Sequence, residues 1–118
     1  MLQMNQDTSS SAEKESLEVR KRVLKAVLAP AILAVLSEMT MSSATNLIAV
    51  FKKRYGIQLS PGTVYPVLYA LEKENEIKKL PHRIRNLYVI TKKGKKTIED
   101  LRMEIGNLQS MVYRLIAN

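Results

Sequence analysis

Residues 60–74 read Ser-Pro-Gly-Thr-Val-Tyr-Pro-Val-Leu-Tyr-Ala-Leu-Glu-Lys-Glu, and this segment gives the clearest indication of the fold. Ser60 is a favoured N-cap residue, and Pro61 suits the first helical position, where its missing N–H removes no hydrogen bond. At 3.6 residues per turn, one face collects Val64, Leu68, Leu71 and Asn75. The opposite face collects Gly62, Pro66, Tyr69 and Lys73. The stretch is therefore predicted to be a helix with an apolar back and an exposed front.

The sequence before this helix predicts a short arm and further helices. Residues 1–11 are polar, Ser-rich and without periodicity, so we expect a disordered arm that ends at a capping box of Ser10 and Glu13. The amphipathic helix that follows meets Pro30, which either kinks it or opens a second helix. The run 31–36 is apolar on every side, which predicts a central buried helix.

The remaining elements are marked by cap residues and by a change of period. Ser42 or Ser43 can cap a short helix that Gly56 ends, and Thr91 can cap a last helix. Between them, two extended runs and a loose tip predict a β-hairpin over residues 77–80, 81–86 and 87–90.

Three helices, a hairpin and another helix are the order of a winged helix-turn-helix, whose third helix enters the major groove of DNA. The predicted fold is therefore mainly α with one small β-hairpin. We divide the chain into a disordered arm (1–11), a winged-helix domain with its N-terminal helix (12–96) and a C-terminal dimerisation helix (97–118). At 118 residues, one domain is expected.

Charge is concentrated in one segment of the chain. Residues 77–96 contain eight Lys and Arg and no acid, and this charge equals the net +8 of the whole chain. Such a segment is suited to phosphates, because every neutralised phosphate releases counterions. The alternative is a solvated Lys-rich face that keeps the protein in solution.

The sequence lacks the residues that several classes of functional site require. There is no Cys and one His, so Zn sites and Cys nucleophiles are excluded, and we predict no metal, no cofactor and no catalytic residue. Glu72, Glu74 and Glu76 spread around a helix and are interpreted as solvent-facing charges. No apolar stretch approaches the ~20 residues of a membrane span. We expect a soluble cytoplasmic protein associated with the nucleoid.

The Ser-Pro-Gly-Thr-Val-Tyr-Pro run at 60–66, with the following Leu and Leu-Glu, resembles the recognition helix of PadR-type transcriptional regulators. The run Leu-Tyr-Val-Ile-Thr-Lys-Lys-Gly at 87–94 resembles the exit from their wing, and the likeness covers about 31–101. It implies a winged-helix DNA-binding regulator. One departure is that Ser43-Ala44-Thr45 replaces the Gly-Tyr pair common where the second helix begins, so no effector role tied to that Tyr is expected.

The front and N-terminus of the third helix supply candidate groups for binding DNA. Orphan N–H groups near Ser60 can hold a phosphate, Thr63 and Tyr65 add hydroxyls, and Pro66 can meet a thymine methyl. Alternatively, Ser60 only caps the helix, Tyr65 is half core and Lys73 is merely solvated. The predicted set is Ser60, Pro61, Gly62, Thr63, Tyr65, Pro66, Tyr69 and Lys73.

Hairpin residues complete the candidate DNA site. Arg83 and Arg85 can reach a phosphate or a narrow minor groove from the tip. Asn86 contacts sugar or base, or merely turns the chain. His82 is interpreted as an exposed loop residue and not as a pH sensor.

The last helix carries apolar residues at alternating steps of three and four, the repeat of a coiled-coil seam. We predict a homodimer in which the N-terminal helix shares the interface. The predicted interface residues are Leu17, Leu24, Leu28, Ile98, Leu101, Ile105, Leu108, Val112 and Leu115. The alternative is that the stripe packs on its own domain.

These observations favour a sequence-specific, homodimeric transcription regulator, expected to be a repressor, that binds a palindromic double-stranded DNA operator. An architectural protein that coats DNA with little sequence preference is one alternative. A winged-helix module that docks an acidic protein is another. The exposed helix front favours the first function, since coating DNA requires charge but no particular side-chain pattern. The sequence gives no support for a small-molecule effector.

Overall fold

The computed structural model describes the backbone of residues 2–117 and the side chains of residues 11–117. Four helices and one hairpin follow one another in the predicted order. They are α1 (Leu2–Ser37), α2 (Ala44–Tyr55), α3 (Pro61–Lys73), β1 (Ile77–His82), β2 (Arg85–Ile90) and α4 (Lys92–Ile116).

The first helix differs from the prediction. α1 starts at Leu2 and passes through Pro30 without a break, so the disordered arm, the Ser10 cap and the second helix opening at Pro30 were wrong. The reason is local: residues 2–29 contain neither Gly nor Pro, so once the helix is nucleated each further residue adds a backbone hydrogen bond. Residue 1 of the predicted arm lies outside the described residues.

The predicted buried run of α1 forms the centre of the core. Ile32, Leu33, Val35 and Leu36 of this run are buried, and Leu28, which precedes the run, is buried as well. Around them pack the apolar faces of the other elements, with Leu47, Phe51, Val64, Leu68, Leu71, Ile77, Tyr88, Ile90 and Ile98 among the buried residues. The apolar back of α3 is therefore confirmed, except that Asn75 lies beyond the helix end, exposed and with φ of 60°.

The cap predictions for α2 and α4 are confirmed by hydrogen bonds. The Asn46 N–H donates to Ser43 Oγ at 3.1 Å, and Gly56 ends α2 with φ of 65°, a conformation that favours glycine. The Gly94 N–H donates to Thr91 Oγ1 at 3.1 Å and opens α4 in the same way. These short-range signals were readable because cap and helix are adjacent in sequence.

The hairpin is longer than predicted and its tip is tight. β1 and β2 pair antiparallel from Ile77 opposite Ile90 to His82 opposite Arg85, which leaves two residues for the turn. The loose six-residue tip was wrong because backbone pairing continues through residues whose side chains show no alternation. Arg83 in the turn has φ of 46°, which is uncommon for a residue with a side chain.

Two further contacts attach the hairpin to the helices. Ser42 and Tyr88 exchange backbone hydrogen bonds of 3.0 and 2.7 Å, so the segment before α2 borders β2. At the other side, Thr91 Oγ1 donates to the Asn75 carbonyl at 2.6 Å. A Cβ on Gly94 would collide with the Glu76 carbonyl, so glycine lets α4 approach the turn between α3 and β1. The result is a winged helix-turn-helix in which the β1–β2 hairpin is the wing. The turn between α3 and this wing contacts the start of α4.

Candidate nucleic-acid interface

The N-terminal end of α3 presents polar atoms at the surface. Ser60 is the N-cap residue, as predicted, but its side chain makes no cap hydrogen bond. Its Oγ lies 3.1 Å from Thr63 Oγ1 instead, while the N–H groups of Thr63 and Val64 donate to the Ser60 carbonyl. The two hydroxyls therefore form one exposed polar pair at the first turn of the helix.

The front of α3 is exposed along its length. Gly62, Pro66 and Lys73 are exposed, and Tyr65 and Tyr69 keep 50% and 62% of their surface accessible. Lys73 Nζ lies 5.5 Å from the centre of the Tyr69 ring, a cation–π distance. Because these two aromatic rings do not pack in the core, their exposed surfaces are available for binding a ligand.

Tyr88 of β2 lies behind this front. Its side chain is buried, and burial raises the pKa of its phenol, with Glu72 and Tyr65 adding to the rise and a hydrogen bond with Asn86 opposing it. The phenol therefore stays neutral at physiological pH. Asn86 is exposed and pairs with Pro81 across the hairpin.

The wing presents its cations to solvent. Lys78 and Lys79 of β1 and both predicted arginines, Arg83 and Arg85, are exposed, and His82 opposite Arg85 is also exposed. Between the arginines, Ile84 is 96% exposed at the turn. The tip thus combines two guanidinium groups with one apolar side chain that no described part of the chain covers.

The first turns of α4 hold the other four cations. Lys93 Nζ donates to the Glu74 carbonyl at 2.6 Å, and Lys96 Nζ lies 3.3 Å from a carboxylate oxygen of Asp100. Within the described part of the chain, the other six cations of residues 77–96 have no carboxylate within 4.0 Å. Most of the +8 is therefore uncompensated and available to a polyanion.

A groove of about 370 Å³ joins the wing to α2, and sequence reasoning missed it. Arg85 and Leu87 line one side, while Ser43, Thr45 and Asn46 line the other. Thr45 and Asn46 are neither charged nor part of a periodic pattern, so no sequence signal indicated that they line a groove with Arg85. Their place beside Arg85 results from the pairing of Ser42 with Tyr88.

The two motifs found in the sequence lie where a winged helix needs them: residues 60–66 open α3, and residues 87–94 lead from β2 into α4. The profile of the transcriptional regulator PadR-like family matches residues 32–100, from the buried part of α1 into α4. The chain belongs to this family. It is a PadR-like transcriptional regulator with a winged-helix DNA-binding fold, and the family consists of transcriptional regulators and not of enzymes.

Solved structures share this PadR-like fold. A PadR-like regulator from Bacillus cereus is 26% identical, with a TM-score of 0.67, 82% of this chain covered and 98% of that chain. A PadR family regulator from Eggerthella lenta is 19% identical, with a TM-score of 0.69 and coverages of 93% and 96%. A winged-helix DNA-binding protein from STIV is 21% identical, with a TM-score of 0.58 and coverages of 76% and 91%. No curated protein matches the sequence.

None of the described helices of this PadR-like chain is long and apolar enough to cross a membrane. No group of three or more metal-ligating side chains occurs among the described residues.

The apolar stripe of α4 in this PadR-like chain divides into two parts. Ile98 is 5% exposed and Leu28 of α1 is 1% exposed, so both belong to the chain's own core, and the prediction that they lie in the dimer interface was wrong. Leu24 and Leu101 are partly buried against the same core. The other predicted residues are exposed: Leu17, Ile105, Leu108, Val112 and Leu115. The regular spacing did not distinguish the buried from the exposed residues, because the apolar repeat is the same whether the domain core, a partner or solvent lies against it.

Proposed function

We propose that this protein is a sequence-specific regulator that binds double-stranded DNA as a homodimer and represses transcription by occluding promoters. The observation that carries the proposal is the exposed front of α3, with two tyrosines and a lysine over an apolar back, next to a wing whose cations lack carboxylate partners. Binding to chromosomal DNA would place the protein at the nucleoid.

In this proposal α3 lies in the major groove. Thr63 and Tyr69 offer hydroxyls to base edges, and Pro66 offers a small apolar surface to a thymine methyl. Ser60 Oγ and the Gly62 N–H hold a phosphate at the groove edge, because Pro61 has no N–H and the N–H groups of Thr63 and Val64 already donate to the Ser60 carbonyl. The cation–π contact between Lys73 and Tyr69 limits the positions of both side chains before DNA binds.

The wing binds the sugar-phosphate backbone or the minor groove. Arg83 and Arg85 extend from the two ends of a tight turn, so a short distance separates their backbone positions. Guanidinium groups bind phosphate with two hydrogen bonds and enter a narrow minor groove readily. Asn86 stands next to them and adds a contact to sugar or base.

A second copy covers the exposed apolar residues of α4 and α1. Ile105, Leu108, Val112 and Leu115 form a continued stripe that the monomer leaves in water. Pairing two such stripes buries them and places two recognition helices on one molecule. Its twofold symmetry favours a palindromic operator with half-sites about 34 Å apart.

Selection of bound fragments from random DNA, followed by competition with mixed-sequence DNA, tests the proposal. We expect a palindromic motif and at least ~10³-fold preference for it over mixed sequence. Equal binding to all duplexes would indicate an architectural DNA-coating protein instead. Absence of binding to any duplex would indicate a protein-docking module.

Variants of α3 and of the hairpin distinguish sequence-specific base contacts from charge-dependent phosphate contacts. Thr63→Ala with Tyr69→Ala should reduce binding to the selected site more than binding to mixed DNA, because base contacts carry the sequence preference. Arg83→Ala should weaken both alike and lower the slope of log affinity against log salt by about one per protomer. Fluorescence titration across a salt series measures both. Equal losses in the first variant, or an unchanged slope in the second, would contradict the assigned roles.

A further inference from the structure

A second groove lies between α1 and the N-terminal end of α3. Its volume is about 180 Å³, and its polar lining consists of Lys21 and Lys25 from α1 with Gln58, Ser60 and Thr63 at the start of α3. Leu24 and Leu28 of α1 form part of its apolar lining. Two cations from a distant part of the sequence therefore stand beside the polar pair that opens the recognition helix.

Both lysines are free to move towards a ligand. Lys21 and Lys25 are exposed. Lys21 Nζ has one carboxylate near it, Glu18 at 3.7 Å, and the two side chains are 54% and 71% exposed. An ion pair this exposed contributes at most about 1 kcal/mol, so it does not prevent either lysine from binding a phosphate.

The faces of α1 assign these lysines to the α3 side. At 100° per residue, Lys14, Lys21 and Lys25 fall within about 40° of one another. The exposed valines of α1, at positions 19, 23 and 27, fall on the opposite face. A second copy that covers the valine face leaves the lysine face open beside α3, with Leu17, about 40° from Lys21, at the border of the two faces.

This lysine face lies outside the part of the chain that the family profile matches, which begins at residue 32. Its charge also lies outside residues 77–96, where the net charge of the chain is concentrated. Because the lysines of α1 are interleaved with acids such as Glu18, local net charge hides them. Only the packing of α1 against α3 places them together with Ser60 and Thr63.

We propose that Lys21 and Lys25, with Lys14 further along the same face, form a third DNA contact that binds the backbone phosphates next to the half-site. The inference rests on the proposed function, in which the N-terminal end of α3 enters the major groove. Phosphates line the edges of that groove, so cations beside this end of α3 lie against the backbone. The contact adds affinity and fixes the position of the protein without reading sequence.

The test compares the double variant Lys21→Ala, Lys25→Ala with the single control Arg20→Ala in the full chain. Alanine suits a helix interior and the removed ammonium groups are exposed, so α1 stays folded, which circular dichroism verifies. Arg20 is exposed on the same helix but about 100° or more from both lysines. Sedimentation of each variant checks that assembly is unchanged.

We expect the double variant to lower the salt slope by about two per protomer, since two phosphate contacts are lost. Its preference for the selected site over mixed DNA should stay within about twofold of the unmodified chain, and Arg20→Ala should leave slope and preference unchanged. Hydroxyl-radical footprints should shorten at the flanks of each half-site in the double variant only.

The outcomes separate this inference from the proposed function. If the unmodified chain binds no duplex, the proposed function fails and the inference fails with it. If Arg83→Ala lowers the slope but the double variant retains the full slope and footprint, the inference is overturned while the proposed function stands. A loss as large in Arg20→Ala as in the double variant also overturns it, because general charge would then explain the effect.

Discussion

The two halves of α4 carry one apolar repeat and lie in opposite surroundings. In the first half, Ile98 is buried and Arg102 Nη2 lies 3.5 Å from Ser37 Oγ at the end of α1. In the second half, Ile105 is 58% exposed. Both residues are isoleucines at the same position of the apolar repeat, yet Ile98 belongs to the core and Ile105 lies at the surface. Periodicity therefore specifies which face of a helix is apolar. How much of that face is buried depends on how far the rest of the domain extends along the helix.

The largest expected effect on stability comes from an isoleucine-to-alanine substitution in the first half of α4, compared with the same substitution in the second half. Ile98→Ala should lower the free energy of unfolding by about 3 kcal/mol, because a buried side chain leaves a cavity. Ile105→Ala should change the midpoint of thermal unfolding only to the extent that a dimer is weakened, so its effect should depend on protein concentration. Thermal unfolding at several protein concentrations measures this. A concentration-independent loss of similar size in both variants would show that the halves do not differ.

Two glycines of α4 extend the comparison to the backbone. Gly94→Ala should cost about 2 kcal/mol, since its Cβ would meet the Glu76 carbonyl and lie 2.8 Å from Ile90 Cγ1. Gly106→Ala should stabilise by about 0.5–1 kcal/mol, because nothing lies within 4 Å of its Cβ and alanine favours a helix interior. Urea denaturation gives both values. Destabilisation at both sites would indicate that the second half is also closely packed in solution.

The exposed second half also predicts assembly. Replacing Leu108 and Val112 together by Asp should convert a dimer into a folded monomer of 13.4 kDa, because both side chains are exposed within one chain and charges would then face each other across the seam. Analytical ultracentrifugation with circular dichroism measures mass and fold. An unmodified chain that already sediments at this mass would contradict the dimer.

The smallest effect is expected at the surface of the first half. Asp100→Asn removes the 3.3 Å ion pair with Lys96, whose side chains are 60% and 75% exposed. A pair of this type contributes about 0.3–0.5 kcal/mol and is screened by salt. Urea denaturation at low and high salt should therefore show a small loss that disappears at high salt. A loss above about 1 kcal/mol would show that this surface has a structural role.

Prediction from the sequence succeeded where the signal is local. The caps at Ser43 and Thr91, the stop at Gly56 and the apolar back of α3 all depend on residues within a few positions of one another. The exposed front of α3 followed from the same periodicity. The resemblance of residues 60–66 to PadR-type regulators added the family.

Prediction failed where distant segments or tertiary burial decide. Leu28 and Ile98 belong to the core because α1, the hairpin and α4 meet there, and no spacing rule shows that meeting. Thr45 and Asn46 join Arg85, and Lys21 joins Ser60, across gaps that the sequence does not mark. The polar first residues of α1 were expected to be disordered because polarity alone is a weak guide to helix formation when no Gly or Pro intervenes.

The order of elements, the two faces of α3 and the positive charge of residues 77–96 can be derived without the fold, because helix period, cap chemistry and charge are properties of neighbouring residues. In contrast, the folded chain is needed to know which part of the α4 stripe is core and which cations lie beside the recognition helix. Those outcomes depend on contacts between residues far apart in sequence, whose closeness results from packing the whole core.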